Sequence, residues 1–174
     1  DVPEGKRATR GKSIMNFLPL SDEENVTSVL AVPKEVKGKA AALMMVTRQG
    51  VAKKVAIGSF ADVRRSGIIA IKLGAGDALL SAQLVEKGDD LIIASKLGQS
   101  IRFKESDIRE MGRNAAGVRG MRLKGDDLIV GMDLLPEGQI QVGEQLLVVM
   151  SKGYGKRTPV KEYKVQGRGG SGIK

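Results

Sequence analysis

The stretch "MVTRQGVAKKVA" (residues 45–56) decides the fold. An apolar run enters a turn at Arg48-Gln49-Gly50 and returns at once through Lys53 and Lys54, which sit between aliphatic neighbours. Two short aliphatic runs around a glycine turn read as a β-hairpin. The same device recurs as "ASKLGQSIRFK" (94–104) and "VMSKGYGKRTP" (149–159). The turn glycines Gly50, Gly98 and Gly153 are 48 and 55 residues apart, and a basic residue stands four places past each: Lys54, Arg102 and Arg157.

A second marker follows each hairpin. "RRSGIIAIKL" at Gly67, "NAAGVRGMRL" at Gly117 and "GGSGIK" at Gly172 lie 17, 19 and 19 residues beyond the turn glycines, and "ATRGKSIMNFL" matches them at Gly11. Self-similarity at such a period signals a repeat architecture, in which each unit buries its apolar face against its neighbours. "LIIA" (91–94) is continuously apolar, as a strand buried on both faces would be. The expected third strand of a unit is "GIIAIKL" (67–73) or "GVRGMRL" (117–123), and the fourth is "ALLSAQLV" (78–85) or "LIVGMDLL" (128–135). Four short strands per unit of about 50 residues predict an all-β, propeller-like ring of four-stranded antiparallel blades, here a partial ring. The units fall at 1–41 (back half of a blade and a connection), 42–90, 91–145 and 146–174 (front half of a blade). A short helical turn is expected at "KESDIREM" (104–111), capped by Ser106.

Composition narrows the function. Lys and Arg outnumber Asp and Glu by 29 to 20, a formal charge of +9, which is the footprint of a polyanion binder. No apolar run approaches the roughly 18 residues that span a membrane. Cysteine and histidine are both absent, which removes disulfides, thiolate metal sites and histidine-based catalysis. The first residues, "DVPEGKRATRGK", carry neither an initiator Met nor an apolar signal segment and read as the cut edge of a longer chain. "GAGD" (74–77) and "GRGGSG" (167–172) lack the Gly-Lys-Ser/Thr ending of a nucleotide-binding loop. The pairs Asp89-Asp90 and Asp126-Asp127 read as solvated turn carboxylates more readily than as a cation site, so no metal site is assigned. Met44, Met45 and Met150 read as core filler.

The charges suggest a division of labour. Acidic residues, including Ser21-Asp22-Glu23-Glu24, are expected at one end of the strands and basic residues at the hairpin turns of the other, roughly 16 Å away at about 3.3 Å per residue. That exceeds a Debye length of about 8 Å. The candidate DNA-contacting cations are Arg48, Lys53, Lys54, Lys96, Arg102, Lys152, Lys156 and Arg157 at the hairpins. The second marker adds Arg7, Arg10, Lys12, Arg64, Arg65, Arg113, Arg119 and Arg168. Repeated on a common perimeter, they would form a belt suited to the phosphates of a bent duplex. Phe60, Phe103, Tyr154 and Tyr163 are too sparse for a base-stacking platform, leaving duplex shape as the determinant.

Three long stretches, "GYGKRTPVKEYKVQGRGGSG" (153–172), "RFKESDIREMGRNAAGVRGMRL" (102–123) and "RATRGKSIMNFLPL" (7–20), resemble the C-terminal domain of the DNA gyrase A protein, and the likeness covers essentially the whole chain. The resemblance implies a β-pinwheel, a ring of four-stranded blades that exchange strands with their neighbours and whose basic rim wraps double-stranded DNA to support negative supercoiling. It also implies, as partners, the rest of the gyrase A protein plus the gyrase B protein, with a cytoplasmic place at the bacterial nucleoid. The resemblance further implies no membrane, no catalytic residue in this segment, and ATP and Mg acting through other domains of the parent topoisomerase. The family's box reads Gln-Arg-Arg-Gly-Gly-Lys-Gly. Gln166, Gly167, Arg168, Gly169, Gly170, Ser171 and Gly172 resemble a degenerate copy of it, with Gly167 and Ser171 in place of basic residues and the full box expected upstream. The alternatives are the similar domain of the equivalent topoisomerase IV protein and a propeller-like protein-interaction scaffold.

Overall fold

A computed structural model describes residues 4–21, 23–32, 41–64, 66–137 and 143–174. Among the described residues the regular structure is nine strands and four short 3-10 turns. The strands are β1 (Ala42–Thr47), β2 (Val51–Ala56), β3 (Leu79–Val85), β4 (Asp90–Ser95), β5 (Ser100–Lys104), β6 (Val118–Arg119), β7 (Ile129–Leu135), β8 (Gln145–Val149) and β9 (Gly155–Pro159). They form three antiparallel sheets, ordered β3-β1-β2-β6, β5-β4-β7 and β8-β9.

Each hairpin turns the way its glycine allows. The amides of Gly50, Gly98 and Gly153 donate to the carbonyls three residues back, Thr47 (3.1 Å), Ser95 (3.0 Å) and Met150 (2.9 Å). Their φ values are 85°, 84° and 83°, a left-handed conformation that glycine enters at little cost and that closes a short hairpin. The fourth strands β3 and β7 pair with β1 and β4 over five or more residues, each with a shift of register near the hairpin end.

The third strand differs from the expectation. "GVRGMRL" does not complete its own repeat; Val118 and Arg119 pair with Ala52 and Val51 of the preceding one. "GIIAIKL" (67–73) forms no ladder among the described residues, and its backbone reaches the next repeat through Lys72 N–H to Ala115 C=O at 3.3 Å. Strand exchange explains the second marker. Gly117 has φ 97°, and a Cβ there would lie 2.8 Å from the carbonyl oxygen of Ala52, so only glycine lets the two backbones approach. Gly172 repeats the arrangement against Ser100.

The core is shared between repeats in the same way. Met44 and Val46 of β1 pack with Leu91 and Ile93 of β4 and Phe103 of β5 in one buried cluster, so neither sheet has a complete core alone. A smaller cluster joins Ile92 and Leu135 to Val160 of the third repeat. "LIIA" is buried as its pattern implies, with Ala94 partly covered. Met44 and Met45 are core residues, whereas Met150 is exposed at the third hairpin. The helical turn is confined to Glu105–Asp107, with Lys104 at its N-cap and Ser106 inside it, so no side chain caps it.

The glycine argument makes a graded prediction. Gly67 also has positive φ, 77°, but among the described residues nothing lies within 4 Å of its would-be Cβ. Gly67→Ala should therefore cost only the backbone term, about 1–2 kcal/mol. Gly117→Ala adds a backbone collision and should lower the denaturation midpoint distinctly further; equal midpoints would contradict the close approach.

Candidate nucleic-acid interface

The hairpin tips carry Arg48, Lys96 and Lys152, all exposed. The first two are brought together by one peptide unit. Lys96 N–H donates to Leu128 C=O and Ile129 N–H donates to Arg48 C=O, each at 2.8 Å. Two successive repeats thus present their tip cations at the same end of the sheets.

Carboxylates brace these tips from behind. Asp77 Oδ1 accepts from the amides of Gln49 (3.0 Å) and Ala78 (2.8 Å), and Asp127 Oδ1 accepts from Leu97 (2.9 Å) and Leu128 (3.0 Å). Ser95 Oγ donates to Asp127 Oδ2 at 2.6 Å. This corrects the expected separation of charge for Asp127, whereas Asp89 and Asp90 do lie at the end of β4 away from the turn, where Asp90 pairs with Lys104. The fourth strand runs antiparallel to the first, so an acidic residue at its start lies at the hairpin tip, not at the opposite end. Asp127, Asp89 and Asp90 are buried and hydrogen-bonded rather than solvated. Asp22, the earlier expected counterpart, lies outside the described residues.

Three of the expected rim cations are corrected outright: Lys53, Lys54 and Arg102 are buried. Lys53 Nζ donates to the carbonyls of Ala70 (2.7 Å), Ala115 (2.8 Å) and Arg113. Burial pulls its ammonium below the ordinary lysine range, while the three carbonyls favour the proton. Between the folded and unfolded values the folded chain binds fewer protons, so this group alone makes stability rise with pH across that alkaline interval. Lys54 Nζ meets the Glu105 carboxylate and, at 3.2 Å, the Glu105 carbonyl. Arg102 pairs with Asp90 at 2.6 Å and donates through Nη1 to the carbonyls of Val160 and Tyr163. Each cation sits in the buried middle of its strand, so it is retained only because acceptors surround it.

The other candidates are distributed as follows. Arg7, Arg10, Lys12, Arg64, Lys156 and Arg157 are exposed, Arg113 is half-buried, and Arg65 lies outside the described residues. Arg119 is exposed beside the first turn, where the amide of its neighbour Gly120 donates to Gly50 C=O at 2.8 Å. Arg168 is exposed but anchored, donating through Nε to Asp107 C=O (2.8 Å) and through Nη1 to Arg119 C=O (3.3 Å).

The degenerate box is an inter-repeat seam. Gln166 N–H donates to Arg102 C=O (2.7 Å), Gly169 N–H to Gly120 C=O (2.6 Å), and Gly170 C=O accepts from Arg122 (2.8 Å). Gly167 leaves open space around its Cβ position. Ser171 shares a small depression with Gln99, Arg122 and Lys124. Gly172 makes the close approach to Ser100 noted above. Arg122 and Lys124 are exposed cations beside the box that the marker pattern does not single out. Their signal lies in "MRLKGDD" (121–127), which begins four residues after the marker Gly117.

Sheets that complete one another across repeats define a β-pinwheel, the propeller-like class with exchanged strands. Within it, the family described as DNA gyrase C-terminal domain, beta-propeller, matches residues 1–33, 41–86, 89–136 and 144–174, and the chain belongs to that family. The DNA gyrase A protein of Mycobacterium tuberculosis is 41% identical over 177 residues, covering 99% of this chain and 20% of that protein. Its Staphylococcus epidermidis counterpart is 37% identical over 174 residues, covering 100% of this chain and 19% of that protein. Among solved structures, the C-terminal domain of DNA topoisomerase IV superimposes with a TM-score of 0.83 at 27% identity, over 94% of this chain and 49% of that one. The DNA gyrase A C-terminal domain gives 0.74 at 27%, over 95% and 53%. The chain thus spans about a fifth of the length of these curated relatives and about half of the solved domains.

The burial of Lys53 separates structural from ligand-facing cations. Lys53→Met leaves three carbonyls short of a donor and should cost about 2–4 kcal/mol, a fall of roughly 4–15 °C in Tm. The salt dependence of duplex binding should be unchanged; full stability with a shallower salt dependence would reverse the assignment.

Proposed function

We propose that this chain is a non-catalytic double-stranded DNA-binding and wrapping module of a DNA gyrase, and that it supports negative supercoiling by holding a bent duplex against its exposed cations. The observation that carries the reading is the joining of the Arg48 and Lys96 tips through Leu128–Ile129. It gives a fixed spacing of positive charge from one repeat to the next. Arg119, Arg122 and Lys124 are exposed near the same turns. Smoothly bending 20–30 base pairs by 40–90° costs about 1–6 kcal/mol, so several such contacts act together and none dominates. Strand breakage, ATP hydrolysis and the Mg-dependent steps belong to other parts of the parent enzyme and to its partner protein, at the bacterial chromosome.

The fold likeness to the topoisomerase IV domain supports a second reading, in which the same surface engages DNA with less wrapping. The ratio of supercoiling to decatenation by the intact enzyme distinguishes the two.

Each neutralised phosphate contributes about −0.9 to the slope of log K against log salt. Replacing Arg48, Lys96 and Lys152 together by Ala should reduce the magnitude of that slope by about 2–3, with the thermal midpoint unchanged, and should depress supercoiling more than DNA-independent ATP turnover. An unchanged slope would refute the interface. Weak binding of the unmodified protein at every salt concentration would favour a protein-interaction scaffold.

A further inference from the structure

In the first two hairpins the cation four residues past the turn glycine, Lys54 or Arg102, lies on a strand next to the 3-10 turn of the following repeat. In the first copy, Lys54 Nζ binds the carbonyl of Glu105, the first residue of the turn Glu105–Asp107. The Lys54 carbonyl accepts from Met111 N–H at 2.9 Å, six residues later, and Lys54 bridges Glu110 in parallel. In the second copy, Arg102 Nη1 binds the carbonyl of Val160, the first residue of the turn Val160–Glu162. The Arg102 carbonyl accepts from Gln166 N–H, again six residues later, and Arg102 bridges Val165 in parallel. The two junctions share this backbone pattern although one cation is lysine and the other arginine.

The countercharge comes from different places. Lys54 takes it from the turn itself, at Glu105; Arg102 takes it from its own hairpin, at Asp90, which pairs with Lys104 in the ladder. In the third hairpin the position equivalent to Asp90, paired with Pro159, is Gln145, which carries no charge. Arg157 stands at the clasp position there, is exposed, and its guanidinium has no hydrogen-bonded partner among the described residues.

We infer that Lys54, Arg102 and Arg157 are three copies of one inter-repeat clasp, and that Arg157 takes the first carbonyl of a 3-10 turn in a following repeat of the same polypeptide rather than a DNA phosphate. Since Gln145 supplies no countercharge, the turn it meets provides a carboxylate, as Glu105 does for Lys54. The turn Ile57–Phe60 occupies the receiving position for a preceding repeat, and the amide six residues after its first member is that of Val63. Arg157 is therefore a positioning residue that sets one blade against the next, and this role does not depend on DNA binding.

The experiment uses the intact natural protein with Arg157→Met and Arg157→Lys, each measured for thermal unfolding, amide hydrogen exchange in the following repeat, and the salt dependence of duplex binding. Arg157→Met should lower the unfolding midpoint by on the order of 5 °C. It should also speed exchange of the amide six residues into the next 3-10 turn and leave the salt slope unaltered. Arg157→Lys should recover part of both stability and protection, since Lys54 performs the same task. An unchanged midpoint and unchanged exchange in Arg157→Met overturn the clasp, whether or not the salt slope falls. Loss of DNA binding by the tip cations would leave this result untouched, so the two readings fail separately.

Discussion

The second strand of each hairpin has an outer edge that its own repeat leaves open. Unpaired strand edges expose backbone donors and acceptors and invite association with other chains. In this chain the edge of β2 is completed by Val118 and Arg119, and beyond them by Met111 N–H on the Lys54 carbonyl. The edge of β5 is completed by Gln166 N–H on the Arg102 carbonyl and by Ile173 against Ser100. Everything else follows from this exchange. It requires glycine where backbones meet, draws Met44 and Leu91 into one core, and makes the angle between neighbouring repeats a property of hydrogen bonds rather than of loose packing.

The same seam divides the cations into two populations. Strand positions that face the seam are dry, so a positive group is tolerated there only when carbonyls or a carboxylate enclose it. Lys53, Lys54 and Arg102 meet that condition with six named carbonyl acceptors and two carboxylates between them. At the turns the backbone is already satisfied by Asp77 and Asp127, leaving the side chains of Arg48 and Lys96 available to solvent or to an anion. A rigid seam with free cations at its tips is what a surface must have if it is to hold a curved polyanion without deforming itself.

The hairpins, their period and the marker glycines are legible in the sequence because they rest on local chemistry: a short aliphatic run, a glycine that can take positive φ, and a return run. The membership of the third strand is not, because Gly117 and Ala52 are distant in sequence and no local pattern says which repeat a strand will join. The buried cations are hidden for a related reason. Lys54 meets Glu105 and Lys53 meets Ala115 only after the repeats dock, so periodicity alone makes them part of a rim. One signal does exist. Lys53-Lys54 and Arg102 are flanked by aliphatic or aromatic residues on both sides, whereas Arg48 and Lys96 adjoin the turn itself. Asp77 and Asp127 fall at the tips because the fourth strand returns antiparallel to the first, a consequence of pairing between segments that the local pattern does not carry.

The central claim is that successive hairpin tips present their cations to one continuous duplex while the seam cations never meet it. Site-specific photocrosslinking in the intact natural protein tests this most directly, with a crosslinking residue introduced in turn at positions 48, 96, 152 and 102. Positions 48, 96 and 152 should each capture the same duplex at successive, regularly spaced sites, and position 102 should capture none. Capture at position 102, or at only one of the three tips, would contradict the account.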